Sequence, residues 1–290
     1  MACWLTAAFS PNLTTIFITI IVALGLPILV HALLYKKAAA AAQLPTILLV
    51  GPSGGGKTAF ATLAERNSTT PTHTSTTPLT VSAILPSPHV PASSRYRSPG
   101  DPAYERARKF LLLDTPGHGK LRHYATSQLA DPKNIRAIIF VVDAAQLSNE
   151  PDLNEAAEYL HDILLSLQKR YTNATSSKGP KEIPVLIAAN KMDLFTALPP
   201  HLVKDMLEKT ITVVRGNRAK ALRDAGAALT GGDEDVDEEK EWLGEGGEGS
   251  FTFEQMAESG TSVKVIGGSV VKGKEEEDMS GWWEWVAEQL

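Results

Sequence analysis

The first 35 residues of the chain contain no Asp, Glu, Lys or Arg, and the full 290 residues include a single cysteine, Cys3. One cysteine excludes the intrachain disulfide framework on which many small secreted domains depend. The formal net charge of −5 excludes a global basic field that would favour nucleic-acid binding. The seven histidines have no ligand-like spacing, so they predict no metal centre.

The uncharged N-terminal stretch is also strongly apolar, since residues 16–35 read IFITIIVALGLPILVHALLY. A helix of about twenty residues spans ~30 Å, the hydrocarbon thickness of a bilayer. Lys36 and Lys37 follow at once, and positive charge marks the cytosolic flank of a membrane helix. A cleaved signal peptide has the reverse order, with positive charge before a shorter apolar core. The stretch therefore predicts an uncleaved single-pass transmembrane helix whose N-terminus faces the lumen or the exterior.

This anchor sets the predicted organisation of the rest of the chain. The predicted regions are a lumenal N-terminus at 1–12, a transmembrane helix at 13–35, a short linker at 36–45 and a cytosolic domain at 46–290. Within the cytosolic domain, residues 87–104 are rich in Pro and Ser, and residues 230–250 are acidic and rich in Gly. Such compositions are typical of flexible insertions.

In the cytosolic domain, short apolar runs alternate with segments of helical spacing. The predicted strands are 46–50, 81–86, 109–114, 135–143, 183–190 and 262–266, and the predicted helices are 57–66, 152–171, 201–215 and 280–290. This alternation predicts an α/β fold with a mostly parallel sheet and helices on both faces. The last helix is expected to pack on the sheet through Trp282, Val286 and Leu290.

A glycine-rich motif lies between the first predicted strand and the first predicted helix. It fits G-x-x-x-x-G-K-T and consists of Gly51, Pro52, Ser53, Gly54, Gly55, Gly56, Lys57 and Thr58. In this context the glycines let backbone N–H groups turn inward and cradle phosphate oxygens, and the helix N-terminus adds its dipole. Lys57 is predicted to reach the β- and γ-phosphates, and the Thr58 hydroxyl to bind Mg²⁺.

A second motif follows the predicted strand 109–114. That strand ends in Asp114, and the sequence continues through Gly117 to His118 as TPGH. An aspartate at the tip of the strand next to the phosphate loop is placed to hold Mg²⁺, mainly through water. The Gly117 N–H is predicted to donate to a γ-phosphate, so this loop is expected to respond to its presence.

A third motif predicts the base. Asn190, Lys191, Met192 and Asp193 follow a buried strand at its carboxyl end, where ligands bind in open α/β sheets. The Asp193 carboxylate can accept from N1–H and from the exocyclic amine of guanine, a donor pair that adenine lacks. Asn190 is expected to tie the loops together, and the Lys191 stem to cover the base. The last loop, at 268–270, is predicted to contribute Ser269 and backbone N–H groups.

One magnesium ligand is left open by these patterns. The loop at 67–80 is expected to supply a threonine that binds Mg²⁺ when GTP is present. Thr74, Thr76 and Thr77 are all candidates, and the run of threonines does not distinguish among them.

The three motifs in this order are hallmarks of the P-loop small GTPases, so the predicted domain is a G domain. More closely, the chain resembles the β subunits of the signal recognition particle receptor, a family of Arf-like GTPases anchored in the endoplasmic reticulum membrane. The most specific stretch is LLLDTPGHGKLRHY, which contains the pair Leu121 and Arg122. THTST at 72–76 is similar to the family's first switch and favours Thr74, and FTFEQM at 251 is also similar to a family feature.

The resemblance implies a function and a location. It implies GTP and Mg²⁺ as cofactors and an α subunit of the receptor as partner, whose N-terminal domain binds the GTP form. It also implies the endoplasmic reticulum membrane, co-translational protein targeting, and proximity to the translocon and the ribosome. The bilayer is contacted through one span, and no sequence-specific contact with nucleic acid is expected.

Two departures from Ras-like proteins concern hydrolysis. Ser53 stands where those proteins carry Gly, and His118 stands where they carry a Gln that orients water. His118 is therefore the candidate catalytic residue, and hydrolysis is expected to be slow or partner-stimulated. The alternatives are an enzyme that turns over with a helper protein, a membrane-anchored Arf-like GTPase of trafficking with another effector, and a translation factor, a class that continues into β-barrel domains.

Overall fold

The structure is a computed structural model that describes residues 13–41, 44–68, 70–86, 88–96, 98, 104, 107–130, 132, 134–173, 182–230, 243, 249–271 and 279–290. The predicted lumenal N-terminus at 1–12 lies outside these residues, as does most of the acidic insertion at 230–250. The chain divides into two compact units, Met1–Leu44 and Pro45–Leu290.

The described residues of the first unit include the helix α1 at Leu13–Ala41. It continues past position 35, where the predicted span ends, into the alanine-rich segment predicted as a linker. Alanine has the highest helix propensity of all residues, so this segment extends the helix. Across the described part of the chain, no helix has both the length and the apolarity required to cross a membrane.

The second unit is built on a six-stranded sheet in the order β2-β3-β1-β4-β5-β6. The strands are β1 at Thr46–Val50, β2 at Leu79–Ile84, β3 at Lys109–Asp114, β4 at Ile135–Asp143, β5 at Val185–Asn190 and β6 at Val263–Gly267. Among the described strands, only the pairing of β2 with β3 is antiparallel. The prediction of a mostly parallel sheet is therefore confirmed, with β2 as its antiparallel edge.

Helices cover both faces of this sheet. They are α2 at Lys57–Arg66, α3 at His123–Ala130, α4 at Glu150–Thr172, α5 at Pro200–Thr230 and α6 at Ser280–Gln289. Two of them differ from the sequence-based expectation. The short helix α3 is not predicted by apolar spacing, and α5 does not end at Arg215 as predicted. Gly216 is the residue that interrupts the pattern, but one glycine costs a helix only ~1 kcal/mol relative to Ala.

The central strand β1 is buried on both faces. Leu48 and Val50 belong to the apolar cluster that contains α4 and α5, whereas Ile47 and Leu49 belong to the cluster that contains α2 and α6. All four side chains have no exposed surface. Because the strand is packed from both sides, the loop that leaves its carboxyl end starts from a rigid position.

Polar side chains of α5 hold the FTFEQM segment. The Phe251 N–H donates to Thr212 Oγ1 at 2.9 Å, and the Phe253 N–H donates to Glu208 Oε1 at 2.8 Å. Both phenylalanine rings are buried, with centroids 5.7 Å apart. The chain is thus fixed again on α5 directly after the acidic insertion, which sets the entry to β6.

Trp282 attaches α6 to the sheet. Its side chain is fully buried, its Nε1–H donates to the Ile266 carbonyl at 3.1 Å, and its ring lies edge-on to Phe60. Val286 is also fully buried, and Leu290 packs against the same cluster. The prediction that the last helix packs on the sheet is confirmed.

Replacing Trp282 with Ala is expected to lower the free energy of unfolding by ~3–5 kcal/mol, because the change opens a large cavity and removes the donor of the Ile266 carbonyl. Chemical denaturation followed by circular dichroism measures this loss. The control is Glu284→Ala, an exposed position on the same helix, expected to change stability by no more than ~0.5 kcal/mol. Equal losses for the two variants would contradict the packing role of Trp282.

Candidate functional site

The three motifs of the sequence meet at one edge of the sheet. Strands β1, β3, β4, β5 and β6 run parallel, so their carboxyl ends lie along the same edge. The loops that follow β1, β3, β5 and β6 carry the glycine-rich motif, the TPGH motif, the NKMD motif and the last predicted loop. This edge is where ligands bind in open α/β sheets.

The glycine-rich loop has a backbone that side chains would obstruct. Gly51 has φ of 134° and Gly56 has φ of 100°, both in the region that favours glycine. A Cβ on Gly51 would collide with the Val141 carbonyl oxygen, and one on Gly56 would collide with Asn190 Nδ2. The loop is therefore packed directly against β4 and the NKMD motif, and only glycine fits at these two positions.

Lys57 begins α2 and folds back over the loop. Its Nζ donates to the carbonyl oxygens of Gly51 at 2.9 Å and Pro52 at 2.8 Å. Burial lowers the pKa of Lys57 to about 8, and the nearby Asp114 opposes that shift. Among the described residues, the hydrogen bonds of this ammonium group all go to carbonyl oxygens, so an anion entering the loop would meet a positive charge already in position.

Thr58 and Asp114 form an oxygen-rich pair beside this lysine. The Thr58 hydroxyl donates to Asp114 Oδ2 at 2.7 Å. The other carboxylate oxygen, Oδ1, is buried and has no hydrogen-bond partner among the described residues. Burial raises the pKa of Asp114, whereas the Thr58 hydrogen bond and the Lys57 charge act in the opposite direction. A buried carboxylate oxygen without a partner, next to a hydroxyl, is the donor set that Mg²⁺ prefers.

Gly117 brings the TPGH motif against the glycine-rich loop. A Cβ at this position would lie 2.5 Å from Lys57 Nζ and 2.6 Å from the Gly51 carbonyl oxygen. The next residue, His118, has an exposed side chain whose Nδ1 accepts from the Lys120 N–H at 3.3 Å. Gly117 thus contacts the phosphate-loop residues, while the His118 ring caps the short helix Gly119–Leu121.

Asn190 joins two loops through its side-chain amide. Its Nδ2 donates to the Gly55 carbonyl at 2.8 Å, and its Oδ1 accepts from the Val270 N–H at 3.0 Å. Both ends of this buried amide are satisfied by backbone groups. The glycine-rich loop and the last loop are consequently held at a fixed distance from each other.

Asp193 and Ser269 lie together at the outer end of this arrangement. The Ser269 hydroxyl donates to Asp193 Oδ1 at 2.5 Å and also approaches the Val271 carbonyl at 3.1 Å. Asp193 is exposed, and Ser269 is buried. A buried hydroxyl therefore orients an exposed carboxylate, whose remaining oxygen is available to a ligand.

Sequence patterns missed one residue of this site. Lys191 has a left-handed backbone with φ of 65°, and its Nζ contacts Asp143 Oδ2 at 2.5 Å. Asp143 is the last residue of β4. The signal that marks it is a carboxylate directly after a long buried apolar run, the same signal that identified Asp114.

Two predicted residues do not join this cluster. Thr74 is exposed, and none of the described hydrogen bonds connects it to Thr58 or Asp114. Ser53 is exposed in the turn of the glycine-rich loop, next to Gly54, which has φ of 80°. Their predicted roles depend on a ligand and remain predictions.

Comparisons with known proteins agree on one family. The sequence model of the family described as signal recognition particle receptor beta subunit matches residues 42–259. The Saccharomyces cerevisiae signal recognition particle receptor subunit beta is 32% identical over 247 residues, which make up 85% of this chain and 84% of the yeast protein.

Solved structures support the same assignment. The structure titled as the signal recognition particle receptor SRb-GDP from Chaetomium thermophilum is 37% identical, with a TM-score of 0.61 over 84% of this chain and 98% of that one. The SRb-GTP/SRX complex from the same organism is 35% identical, with a TM-score of 0.64 over 84% of this chain and 99% of that one. The fold is therefore that of a small GTPase, and the chain belongs to the family of signal recognition particle receptor β subunits.

Proposed function

We propose that this chain is a GTP-binding docking subunit, which holds GTP with Mg²⁺ and recruits the receptor α subunit when GTP is bound. The observation that carries the proposal is the position of Asn190, whose amide joins Gly55 to Val270. One side chain thereby connects the loop proposed for the phosphates with the loop proposed for the base. Solved structures of relatives include an SRb-GTP/SRX complex and GDP and GDP-Mg forms of SRb.

The phosphate end of the proposed site consists of charge and backbone donors. Lys57 and the N-terminus of α2 supply positive charge. The backbone donors proposed for the phosphates belong to Gly51, Ser53, Gly54, Gly55, Gly56, Thr58 and Gly117. Thr58 and Asp114 are the proposed magnesium residues, joined by Thr74 when the first switch closes. Bound Mg²⁺ supplies charge neutralisation between the β- and γ-phosphates.

The base end of the proposed site selects guanine. Asp193 is proposed to accept from N1–H and from the exocyclic amine, while Ser269 keeps its carboxylate oriented. Lys191 is proposed to cover one face of the base with its aliphatic stem. A site built to hydrogen-bond two donors strongly rejects a base that lacks them, because its own polar groups are left unpaired.

Equilibrium titration of the purified chain with GTP, GDP, XTP and ATP tests this proposal. GTP and GDP are expected to bind far more tightly than ATP, and removal of Mg²⁺ with a chelator is expected to weaken GTP binding more than GDP binding. The second difference is expected because Mg²⁺, held by Thr58 and Asp114, would neutralise the additional charge that GTP carries and GDP lacks. Equal affinities for GTP and ATP would refute the base assignment.

Hydrolysis is proposed to be slow or dependent on a partner. The candidate catalytic residue, His118, is exposed, and its Nδ1 accepts a hydrogen bond from the Lys120 N–H, outside the glycine-rich loop. A helper that repositions His118 would be needed for efficient attack by water. Single-turnover hydrolysis with and without the α subunit distinguishes a docking subunit that holds GTP from an enzyme that turns over with a helper protein. A rate that stays near zero with every partner rules out the turnover enzyme.

The anchor is proposed from the apolar run at residues 16–35, which lies within α1, even though no described helix combines the length and apolarity required to cross a membrane. Ile20, Ile21, Val22 and Val30 are all exposed, and at about 100° per residue they lie at roughly 0°, 100°, 200° and 280° around the helix axis, so apolar side chains face every side. A helix that is apolar all round is typical of a buried or membrane-spanning segment. Together with Lys36 and Lys37 after the apolar run, this supports a single pass with the G domain on the cytosolic side. The endoplasmic reticulum membrane, and proximity to the translocon and the ribosome, are proposed from the family alone.

Removing residues 1–37 is expected to leave a protein that stays in solution without detergent and binds GTP as tightly as the full chain. The reason is that the compact unit Pro45–Leu290 contains every residue of the proposed nucleotide site. Flotation with liposomes and GTP titration measure the two properties. Loss of GTP binding in the truncated chain would mean that α1 is structurally part of the G domain.

A further inference from the structure

We propose that Asp143 is a positioning residue for base recognition, because it fixes the side chain of Lys191 before any nucleotide arrives. This inference rests on the proposed function, since it concerns the residue that is proposed to cover guanine. It concerns a carboxylate that lies outside the glycine-rich, TPGH and NKMD motifs and that contacts the second residue of the NKMD motif.

The Asp143 carboxylate is fully engaged. Oδ2 lies 2.5 Å from Lys191 Nζ. Oδ1 accepts from the backbone N–H groups of Ala145 at 3.0 Å and Gln146 at 3.3 Å. The Asp143 side chain is 6% exposed, whereas that of Lys191 is 32% exposed. The carboxylate is therefore held by the turn that follows β4 and has a single orientation available for the lysine.

The backbone places the two residues side by side. Asp143 is paired with Asn190 in the parallel register of β4 and β5, and the Ala144 N–H donates to the Asn190 carbonyl at 3.0 Å. Lys191 then turns into the left-handed region, with φ of 65°. This conformation is uncommon for a residue other than glycine. The ion pair thus restrains the side chain of a residue whose backbone is already redirected by the turn.

Restraint of this kind has a thermodynamic consequence for binding. A free lysine side chain loses much rotamer freedom when it is immobilised on a ligand. If the ammonium group is held in advance, the stem is ordered before the base arrives, and less entropy is lost on binding. The partly exposed stem of Lys191 is then a preformed apolar surface for the plane of the base.

A purely structural role for Asp143 makes a different prediction. If Asp143 acted only as a cap for the turn at 144–146, its loss would lower stability, but its effect on GTP affinity would be independent of Lys191. A double-mutant cycle isolates the interaction between a pair of side chains. If the effects of Asp143 and Lys191 on GTP affinity are coupled, Asp143 acts through Lys191; if they are independent, Asp143 has only a structural role.

The test is such a cycle in the full chain, with Asp143→Asn, Lys191→Met and the double variant. Titration with GTP and GDP gives the dissociation constants, and thermal unfolding of the nucleotide-free protein gives stability. Each single variant is expected to raise the dissociation constant for GTP about tenfold relative to the wild type. The double variant is expected to raise it by the same factor of about ten, and not by the product of the two single effects.

Asp162→Asn is the matched control, because Asp162 forms a 2.5 Å ion pair with Arg218 on α5. It is expected to change the unfolding temperature without changing GTP affinity.

Two outcomes overturn the inference. One is an additive effect in the double variant, and the other is unchanged GTP affinity in Asp143→Asn.

If Asp143→Asn does not fold, Lys191→Arg and Lys191→Met are compared instead. The arginine variant keeps the ion pair and is expected to bind GTP several-fold more tightly than the methionine variant. Equal losses for these two variants likewise overturn the inference. A wild-type chain that does not prefer GTP to ATP overturns the proposed function as well, whereas additivity on a GTP-selective wild type overturns only the role of Asp143.

Discussion

Asp193→Asn is expected to transfer the preference of this protein from guanine to xanthine nucleotides. The carboxylate accepts from two donors of guanine, and an amide can accept from only one of them while presenting its own N–H₂ group. Xanthine carries a carbonyl where guanine carries the exocyclic amine, so the amide restores the pairing. Leaving one buried donor unpaired costs ~1–3 kcal/mol, so GTP affinity is expected to fall about fivefold to 150-fold. Competition between XTP and GTP for the purified variant measures this change in base preference.

The matched control for this substitution is Ser269→Ala. Ser269 donates to Asp193 at 2.5 Å, so its loss frees the carboxylate without changing its chemistry. This variant is expected to bind GTP less tightly by about fivefold to tenfold and to gain no affinity for XTP. Unchanged GTP selectivity in Asp193→Asn would refute the assignment of the base loop.

Gly117→Ala is expected to weaken GTP binding while leaving GDP binding nearly intact. A Cβ at this position would lie 2.6 Å from the Gly51 carbonyl oxygen and 2.7 Å from the Pro52 carbonyl carbon, so backbone has to move. Inserting a methyl group into a packed position costs ~1–3 kcal/mol. The TPGH loop and the glycine-rich loop are therefore pushed apart where the γ-phosphate is proposed to lie. GTP affinity is expected to fall about fivefold to a hundredfold.

Gly119→Ala is the control for this effect. It lies two positions further along the same loop, and a Cβ there would meet no heavy atom within 4 Å. It is expected to bind GTP and GDP as the wild type does. If both alanine variants lose GTP affinity equally, the loss reflects general loosening of the loop rather than the contact of Gly117 with the phosphate loop.

The sequence predicts the loops of the site better than it predicts their contacts. A P-loop, an aspartate after an apolar strand and an NKMD motif each follow a buried run, and parallel strands bring such ends to one edge. For this reason Lys57, Asp114 and Asn190 are found together as expected. Their clustering follows from strand direction alone and needs no knowledge of the side chains in between.

Contacts that cross between strands are harder to predict. Asp143 ends a strand as Asp114 does, yet its partner Lys191 is 48 positions away in the sequence. Nothing in local spacing says which lysine it meets, because the answer depends on the register of β4 and β5. The extent of α5 is missed for a related reason, since continuation past Gly216 depends on the propensity of the following segment rather than on apolar periodicity.

Residues whose position depends on a ligand are the hardest of all. Thr74 and His118 are both exposed, although Thr74 is predicted to bind magnesium and His118 stands where Ras-like proteins carry the Gln that orients water. Segments that order on binding a γ-phosphate gain their contacts only at that moment. Their sequence therefore indicates which residues take part without fixing where they lie in the absence of nucleotide.

The most direct test of a GTP-dependent docking subunit is the affinity of the chain for the N-terminal domain of the receptor α subunit in two nucleotide states. The full chain in detergent is loaded with a non-hydrolysable GTP analogue or with GDP, and its binding to the α subunit domain is measured by surface plasmon resonance. Coupling between two binding sites is typically worth ~1–3 kcal/mol, or about fivefold to 150-fold in affinity. The GTP-loaded chain is expected to bind more tightly by a factor in that range, with the difference reduced in Gly117→Ala. Equal affinities in the two nucleotide states would contradict the proposed function.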